Sequence, residues 1–320
     1  DYKTYVKQLF ANTQAVSVWG GEDGSFNPVT GVSDVPEYGK IFISVKSTTG
    51  LNLNEIQKAQ LVTDLSPYTV ASITPVVVDA ETLSIILNVN FKFDSNKTIS
   101  SKESLETLVQ STITNYNNDY LKVFNSVFRH SQFTSLIDDT DSSILSNITT
   151  VTLSASYTPN TVGSYSFTVH FGNQLYNPHS GHNSMSGGII SSTGFRIQGN
   201  TNEMFFDDDG AGNLRIYYLV TGARTYHDSN AGTIDYSSGL LSANPVYITA
   251  VSNIDGSASS SIRLTAIPSS NDIVSKRNQI VEIDLVNTSV SGGQDTIAVN
   301  TTGGSTSFVT SPSIASTSSY

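Results

Sequence analysis

The sequence predicts an α+β protein in which a ferredoxin-like (split βαβ) N-terminal half is followed by an all-β sandwich or barrel domain. Helix and strand patterns alternate up to about residue 157, and short apolar-alternating runs separated by Gly, Asn, Asp and Ser occupy the rest. We therefore expect an α+β domain at 1–157, with an N-terminal helix and a long loop at 20–39, and an all-β domain at 158–302. A low-complexity tail or arm is expected at 303–320.

The predicted N-terminal half begins with a helix and two strands. An amphipathic pattern at 2–10 is typical of a helix, and AVSVW at 15–19 is typical of a strand. After the long loop, KIFISVK at 40–46 predicts a second strand. Asn52 and Glu55 have the spacing of a capping box, which predicts a helix through about Leu65, and the extended segment YTVASITPVVV follows.

The clearest strand and helix come next. LSIILNVNFKF at 83–93 alternates apolar and polar side chains, as a strand with one buried face does. Ser100 and Glu103 have capping-box spacing before a long helix, SQFTSLI predicts a shorter one, and NITTVTLSASY at 147–157 predicts a strand. From residue 40 the order strand, helix, strand, strand, helix, strand is that of the ferredoxin-like unit, with both helices on one face of a four-stranded sheet.

Composition excludes several classes of protein. A formal net charge of -11 and a pI near 4.7 disfavour binding to nucleic acid and to anionic membranes. The sequence has no cysteine, so disulfides and thiolate metal sites are excluded. No apolar run approaches the roughly 20 residues of a membrane span. The chain starts at Asp1 without an initiator Met, so we expect it to be a piece of a longer polypeptide.

One acidic run resembles a metal loop. In DDDGAGN (207–213), Asp207, Asp208 and Asp209 resemble the first half of a calcium loop. The spacing does not continue to the bidentate Glu of an EF-hand, and strand-like runs flank the acids. A hairpin turn is therefore the simpler interpretation, and calcium binding remains the alternative.

Other candidates for chemistry are weak. His170, His179 and His182 lie close together, but zinc needs three or four convergent ligands and neither a thiol nor an acidic fourth ligand is nearby. The phosphate-loop pattern, the GxSxG elbow and a GxGxxG after a strand do not occur. Glu22 and Asp23 are adjacent, which does not place two carboxyls across a sugar. We therefore expect no catalytic residue, no cofactor and no bound metal.

A second acidic run, DDTD, is either a carboxylate site or architecture. Asp138, Asp139 and Asp141 follow the apolar end of the predicted short helix and precede the strand at 147–157. They most simply terminate that helix and begin the next turn. Trp19 ends a predicted strand, and core packing is favoured over a role as interface anchor.

Four segments, taken in order, carry a family resemblance. DYKTYVKQLFANTQAVSVWGGED, GKIFISVK, RHSQFTSLIDDTDSSILSN and GTIDYSSG are similar to the gene-six-type baseplate wedge family of T-even-like contractile-tailed phages, a relative of the baseplate J family. The resemblance covers most of residues 1–300 and is closest over the first 155. It implies a structural protein of the virion tail baseplate, assembled in the host cytoplasm, of which this chain is the C-terminal portion. No catalytic residue carries over, because the family is not known for catalysis.

The resemblance also implies partners. Family members pair as two copies with a gene-seven-type wedge protein, and six wedges form a ring that rearranges when the sheath contracts. Self-association as a dimer and in ring contacts is expected, with no nucleic acid and no membrane. The candidate interface residues are Trp19, Phe26 and Tyr38 near the long loop, Phe133, Asp138, Asp139 and Asp141 near the acidic turn, and the tail.

Two alternatives from other classes remain. The tyrosine-rich β half would suit a carbohydrate-binding or adhesin-like module, and its candidate platform residues are Tyr217, Tyr218, Tyr226 and Tyr236. A tail-associated glycosidase is the second alternative and would turn over bacterial polysaccharide.

Overall fold

The computed structural model describes residues 2–49, 52–70, 72–182, 188–254 and 256–295, so the tail predicted at 303–320 lies outside the described residues. Over these ranges the protein is mostly β-strand with four α-helices. The chain forms two compact units: the first combines Asp1–Leu83, Tyr120–Phe128 and Val274–Glu282, and the second combines Ser84–Asp119, Arg129–Ile273 and Ile283–Tyr320. Both are discontinuous in sequence, whereas the domains expected at 1–157 and 158–302 are continuous, and that division stays a prediction.

The first unit packs two helices against one face of a small sheet. Its N-terminal elements are α1 (Tyr2–Leu9), β1 (Thr13–Gly20), β2 (Ser25–Asn27), β3 (Gly31–Ser33), β4 (Lys40–Ser47), α2 (Glu55–Leu65) and β5 (Thr74–Val78). β4 pairs antiparallel with β1 and parallel with β5. Val6 of α1 and Leu61 of α2 pack with Ile43 of β4 in one apolar core, which is the reason that both helices have an apolar stripe.

The capping box of α2 lies two residues later than expected. Asn54, not Asn52, caps the helix: its Oδ1 accepts from the Gln57 backbone N–H at 2.9 Å, and Gln57 Oε1 accepts from the Asn54 N–H at 3.0 Å. Both residue pairs have the same spacing in the sequence, so spacing alone does not choose between them. Leu53 is buried in the core of the unit, and this anchors the residue directly before the cap.

Two long strands begin the second unit. The elements from residue 81 to 157 are β6 (Glu81–Phe93), α3 (Lys102–Tyr120), β7 (Val127–Phe128), α4 (His130–Asp138) and β8 (Ile144–Tyr157). β6 pairs antiparallel with β8 from Ser84↔Ser154 to Phe93↔Ile144. The even alternation of buried and partly exposed side chains along β6 matches the period of two in its sequence.

The remaining elements are all strands. They are β9 (Tyr165–His170), β10 (Ile190–Ser192), β11 (Phe195–Ile197), β12 (Met204–Asp208), β13 (Asn213–Val220), β14 (Ala223–Asp235), β15 (Leu240–Val246), β16 (Ile248–Val251), β17 (Ile262–Ala266), β18 (Ile273–Val274), β19 (Gln279–Ile283) and β20 (Ser289–Gln294). One seven-stranded sheet has the order β16-β11-β12-β13-β14-β15-β9. In the other sheet of the second unit, β17 lies between β10 and β8, and β20 pairs parallel with β6.

The mostly-β character of the chain is confirmed, but the ferredoxin-like unit is not. That unit requires its four strands in one sheet, whereas β4 and β5 belong to a three-stranded sheet with β1, and β6 and β8 belong to another sheet. The physical reason is pairing length: thirteen-residue β6 finds a partner of matching length in fourteen-residue β8, not in five-residue β5. Alternation of apolar residues sets which face a strand buries, but it does not set its neighbour.

Candidate interaction surfaces

The loop at 20–39 is anchored by an aromatic core in the first unit. Trp19 is buried and stacks on Phe42, with ring centroids 5.5 Å apart, and Phe26 packs against this pair as a partly buried side chain. The expectation that Trp19 packs in the core is therefore confirmed. Glu37 N–H donates to Gly21 O at 2.7 Å, which ties the far end of the loop back to its start.

The outer part of the same loop exposes apolar side chains. Val29, Val35 and Tyr38 are 60%, 65% and 79% exposed, and all three fall within ten residues of sequence. A hairpin formed by β2 and β3 presents Val29 at its turn, where Asn27 Oδ1 accepts from the Val29 N–H at 2.7 Å. Apolar side chains held out on an ordered loop are a feature of surfaces that bind other proteins.

The second acidic run has the architectural role expected of it. α4 ends at Asp138, and Asp139 follows as its C-cap with an exposed side chain. Asp141 Oδ1 accepts from the Ser143 hydroxyl at 2.6 Å and from the Ser143 N–H at 2.8 Å, and these bonds lower the pKa of Asp141. Phe133 is fully buried and meets Tyr116 edge-on at 5.2 Å, so it holds α4 in the core rather than presenting itself at the surface.

One face of α4 lines a cavity of about 570 Å³ in the second unit. His130, Thr134 and Asp138 stand four residues apart, so they share one helix face, and all three line the cavity. Asn147 of β8 bridges this wall, because its Nδ2 donates to Asp138 Oδ1 at 2.7 Å and to Thr134 O at 2.8 Å. Sequence reasoning missed this site, although the polar spacing in HSQFTSLID is the signal that could have found it.

The first acidic run lies in the seven-stranded sheet and is saturated by protein donors. Asp207 is only 1% exposed, and its two oxygens accept from Arg215 Nε at 2.9 Å, Arg224 Nη1 at 2.6 Å and the Tyr226 hydroxyl at 3.1 Å. The guanidinium of Arg215 lies over the Tyr226 ring at 4.3 Å, and that of Arg224 over the Tyr217 ring at 4.5 Å. Each of the two guanidinium groups that bond to Asp207 is therefore covered by an aromatic ring.

Asp208 is equally buried, but within the described ranges it forms no ion pair and accepts hydrogen bonds from neutral groups instead. Its Oδ1 accepts from the Ile189 and Ile190 N–H groups at 2.7 Å each, and its Oδ2 accepts from the Tyr236 hydroxyl at 2.6 Å. Burial raises the pKa of Asp208 above its ordinary value, while these hydrogen bonds oppose that shift. Gly188 has a φ of +70°, and a Cβ there would collide with the Asp208 carboxylate, so this approach requires glycine.

The hairpin interpretation of DDDGAGN is confirmed. β12 pairs antiparallel with β13, and Asp209 shapes the turn by accepting from the Ala211 N–H at 2.8 Å and the Asn213 N–H at 2.9 Å. All three carboxylates point at protein donors instead of converging on one point. Across the described ranges, no group of three or more His, Cys, Asp or Glu residues is arranged to hold a metal ion.

The histidines and tyrosines singled out above are also occupied within the fold. His182 Nδ1 lies 3.2 Å from His179 Nε2, and burial lowers the pKa of His182. Tyr217 and Tyr226 stack against arginines, and Tyr236 binds Asp208, so these tyrosines do not form an open platform for a sugar. Within the described residues, no helix has both the length and the apolar character needed to cross a membrane.

The comparisons with known proteins agree with a structural role. Residues 1–78 match the family model for baseplate structural protein gp6, C-terminal domain I, and residues 81–155 match that for C-terminal domain III. The baseplate wedge protein gp6 of Enterobacteria phage T4 is 28% identical over 152 residues, which are 47% of this chain and 21% of that protein. The chain thus spans about a fifth of the length of this curated relative.

These matches indicate both the class of protein and the family that the chain resembles. Both matched family models describe a structural protein of the baseplate, and the similar T4 protein is a baseplate wedge protein. Over residues 1–155 the chain is similar to parts of the C-terminal portion of gp6-type baseplate wedge proteins.

Proposed function

We propose that this chain self-associates and binds other baseplate wedge proteins, a gene-seven-type protein among them, to build the ring that rearranges on sheath contraction. The observation that carries the proposal is the succession of two gp6 C-terminal domain matches, 1–78 and 81–155, in one chain. The role is mechanical: each unit has a packed core that holds its surface loops in place, so contacts made by those loops can transmit a change of arrangement.

The loop at 20–39 is the surface that we assign to self-association. Its exposed Val29, Val35 and Tyr38 would lose contact with water in an interface, and the Trp19 cluster beneath them fixes their positions in advance. A preordered loop loses little conformational freedom on binding, which favours association. Asp138, Asp139 and Asp141 remain candidates for a second contact at the acidic turn.

Sedimentation velocity over a range of protein concentrations tests the assignment. We expect the wild-type chain to form dimers, and Val35→Asp to weaken the dimer at least about tenfold, because it places a charge in the interface. Val70→Asp is the matched control, since Val70 is 63% exposed, also lies in the first unit and stands outside the loop.

Two results would count against this proposal. A chain that stays monomeric at the highest attainable concentration and binds no gene-seven-type protein would refute the assembly role. Equal effects of Val35→Asp and Val70→Asp would leave self-association in place but remove the loop from it.

A further inference from the structure

The groove beside α4 follows the edge of a β-strand. Five consecutive residues of β8, 147–151, line it together with residues of α4 and with Ile267, Pro268, Ser269 and Asn271. Its volume of about 570 Å³ falls in the range of about 300–1,000 Å³ found for ligand sites. A floor made of continuous strand backbone is unusual for a small-molecule site and suits an extended chain.

This edge is open because β17 leaves β8 part-way along. β17 pairs with β8 from Ile262↔Tyr157 only as far as Ala266↔Leu153. After Ala266 the chain turns to other partners: Ile267 O accepts from the Tyr176 N–H at 2.9 Å. In the described part of the chain, no strand therefore pairs with β8 on this side before Leu153.

The backbone groups of β8 point into the opening. Arg263 of β17 exchanges hydrogen bonds with Thr193, at 2.9 Å from its O and 3.0 Å from its N, so its backbone faces away from β8. The backbone groups of the residues on either side of Arg263 therefore face β8, where their partners are odd-numbered residues. By the same period of two, Asn147, Thr149 and Val151 direct their N–H and C=O groups into the groove.

One existing contact supports this orientation. His130 Nε2 lies 2.9 Å from Thr149 O, so α4 already approaches β8 from the groove side. A carbonyl oxygen only accepts, so Nε2 carries the proton in this contact. An incoming strand would replace the imidazole N–H with a backbone N–H at the same carbonyl.

The groove also carries an unneutralised negative charge. Asp138 is half-buried in its wall, and its Oδ1 accepts from the neutral amide of Asn147 at 2.7 Å. No Lys, Arg or His of the described ranges forms an ion pair with Asp138. A cationic side chain from outside would gain a charge-assisted hydrogen bond to this carboxylate.

We propose that this groove receives an extended segment of a partner protein, which adds as a strand to the edge of β8 and places a lysine or arginine against Asp138. Strand addition obtains affinity from main-chain hydrogen bonds and specificity from the side-chain positions beside them. Here the specificity determinant is the basic side chain. The proposal rests on the proposed function, because it supplies the chemistry of one partner contact in the assembly.

The test uses three synthetic peptides and the full chain. The first has seven residues of alternating Thr and Val with a central Lys and blocked termini; the second has Glu in place of Lys; the third keeps Lys but has N-methylated peptide bonds. Calorimetric titration should show the Lys peptide binding about tenfold more tightly than the Glu peptide. The N-methylated peptide should not bind, because it lacks the donors that the β8 carbonyls require.

A pair of neighbouring variants isolates the charge. Asp138→Asn keeps an acceptor oxygen for Asn147 but removes the charge, and it should abolish the preference for Lys over Glu. Asp139→Asn changes net charge equally at an exposed residue outside the groove, and it should leave that preference intact. Should Asp138→Asn lower the thermal unfolding midpoint, the N-methylated peptide on the wild-type chain still decides the question.

The outcomes separate this inference from the proposed function. Failure of the Lys peptide to bind at millimolar concentration, equal binding of the Lys and N-methylated peptides, or equal effects of the two variants would overturn the groove assignment. Dimerisation measured by sedimentation would be unaffected by that failure. Conversely, a monomeric chain that still binds the Lys peptide would refute self-association and leave the groove standing.

Discussion

Two acidic runs in the same unit, DDD at 207–209 and DDTD at 138–141, resemble each other in sequence and differ in burial and in the donors around them. Asp207 and Asp208 are each 1% exposed, and Asp207 accepts from side chains of the seven-stranded sheet whereas Asp208 accepts from the Ile189 and Ile190 N–H groups and the Tyr236 hydroxyl. Asp139, in contrast, is exposed, and Asp138 borders an open groove. One run is enclosed by protein donors inside the fold, and the other lies at or near the surface.

The difference teaches that the residues opposite an acidic run decide its role. The strands after Asp207 bring Arg215 directly opposite it in register, and Arg224 and Tyr226 follow one strand further on. The turn after Asp139 supplies only short hydroxyl side chains. Acidic residues are therefore buried where other segments of the chain bring enough donors to them, and stay closer to solvent where the nearby turn supplies few.

The largest expected effect is loss of stability on replacing Asp207. Asp207→Ala would leave Arg215 and Arg224 with no carboxylate in a largely buried site, and we expect a loss of about 3 kcal/mol in the free energy of unfolding. Urea unfolding measures it. Asp139→Ala is the matched control and should change stability by less than about 0.5 kcal/mol. Similar losses from both variants would abolish the distinction between the two runs.

Asp208→Asn should have the next largest effect, and one that depends on pH. The amide NH₂ cannot accept, so a buried N–H or the Tyr236 hydroxyl loses its acceptor, at a cost of about 2 kcal/mol near pH 5. Because burial raises the pKa of Asp208, the contribution of this carboxyl is complete below the unfolded pKa of about 3.9 and is lost as pH rises through the folded pKa. The difference between wild type and variant should therefore be smaller at pH 8 than at pH 5.

Urea titrations of both proteins at the two pH values check this sign. A difference that grows with pH would mean that the hydrogen bonds to Asp208 outweigh its burial.

Asp141→Ala should have a small effect of the opposite pH dependence. Hydrogen bonds from Ser143 lower the pKa of Asp141, so its contribution is present above the unfolded pKa of about 3.9 and is lost as pH falls through the folded pKa. Asp141 is largely solvated, and solvent screening keeps the loss below about 1 kcal/mol at pH 7. Thermal unfolding at pH 7 and pH 3 should show the variant and the wild type converging in acid.

Added calcium should have no effect on thermal stability. The oxygens of Asp207, Asp208 and Asp209 are directed at protein donors, so 1 mM calcium should not move the thermal midpoint. A site with a dissociation constant of about 10 μM would instead stabilise the fold by about 2.7 kcal/mol at that concentration. A rise of several degrees, reversed by a chelator, would restore the calcium hypothesis for this run.

Helices and strands whose apolar residues recur with a clear period were predictable from the sequence. β6 and α3 lie where alternation and the apolar stripe place them, and α4 and β8 flank the acidic turn as expected. The neighbours of these elements were not predictable, because nothing near β6 indicates that β20, some two hundred residues later, lies parallel beside it. Pairing over such distances depends on tertiary packing, which local patterns do not encode.

Some features of the candidate sites were likewise predictable from the sequence, and others were not. Core packing of Trp19 follows from its place at the end of a strand, whereas the burial of Phe133 was not anticipated when it was named as an interface candidate. The groove depends on where β17 turns away at Ile267 and Pro268, and this is set by pairing with residues 174–176. Tyr38 is the exposed aromatic residue of the predicted interface set and the strongest of its aromatic members for experiment.

The contacts of Asp207 with two arginines, each covered by a tyrosine ring, affect how its ion pairs respond to salt. Ions in solution shorten the Debye length from about 30 Å at 0.01 M to about 3 Å at 1 M, which weakens exposed ion pairs strongly and buried ones little. The rings of Tyr217 and Tyr226 cover these guanidinium groups and keep electrolyte away from the carboxylate. Salt should therefore weaken the pair of Asp207 with Arg215, whose side chain is 11% exposed, less than it weakens an exposed ion pair.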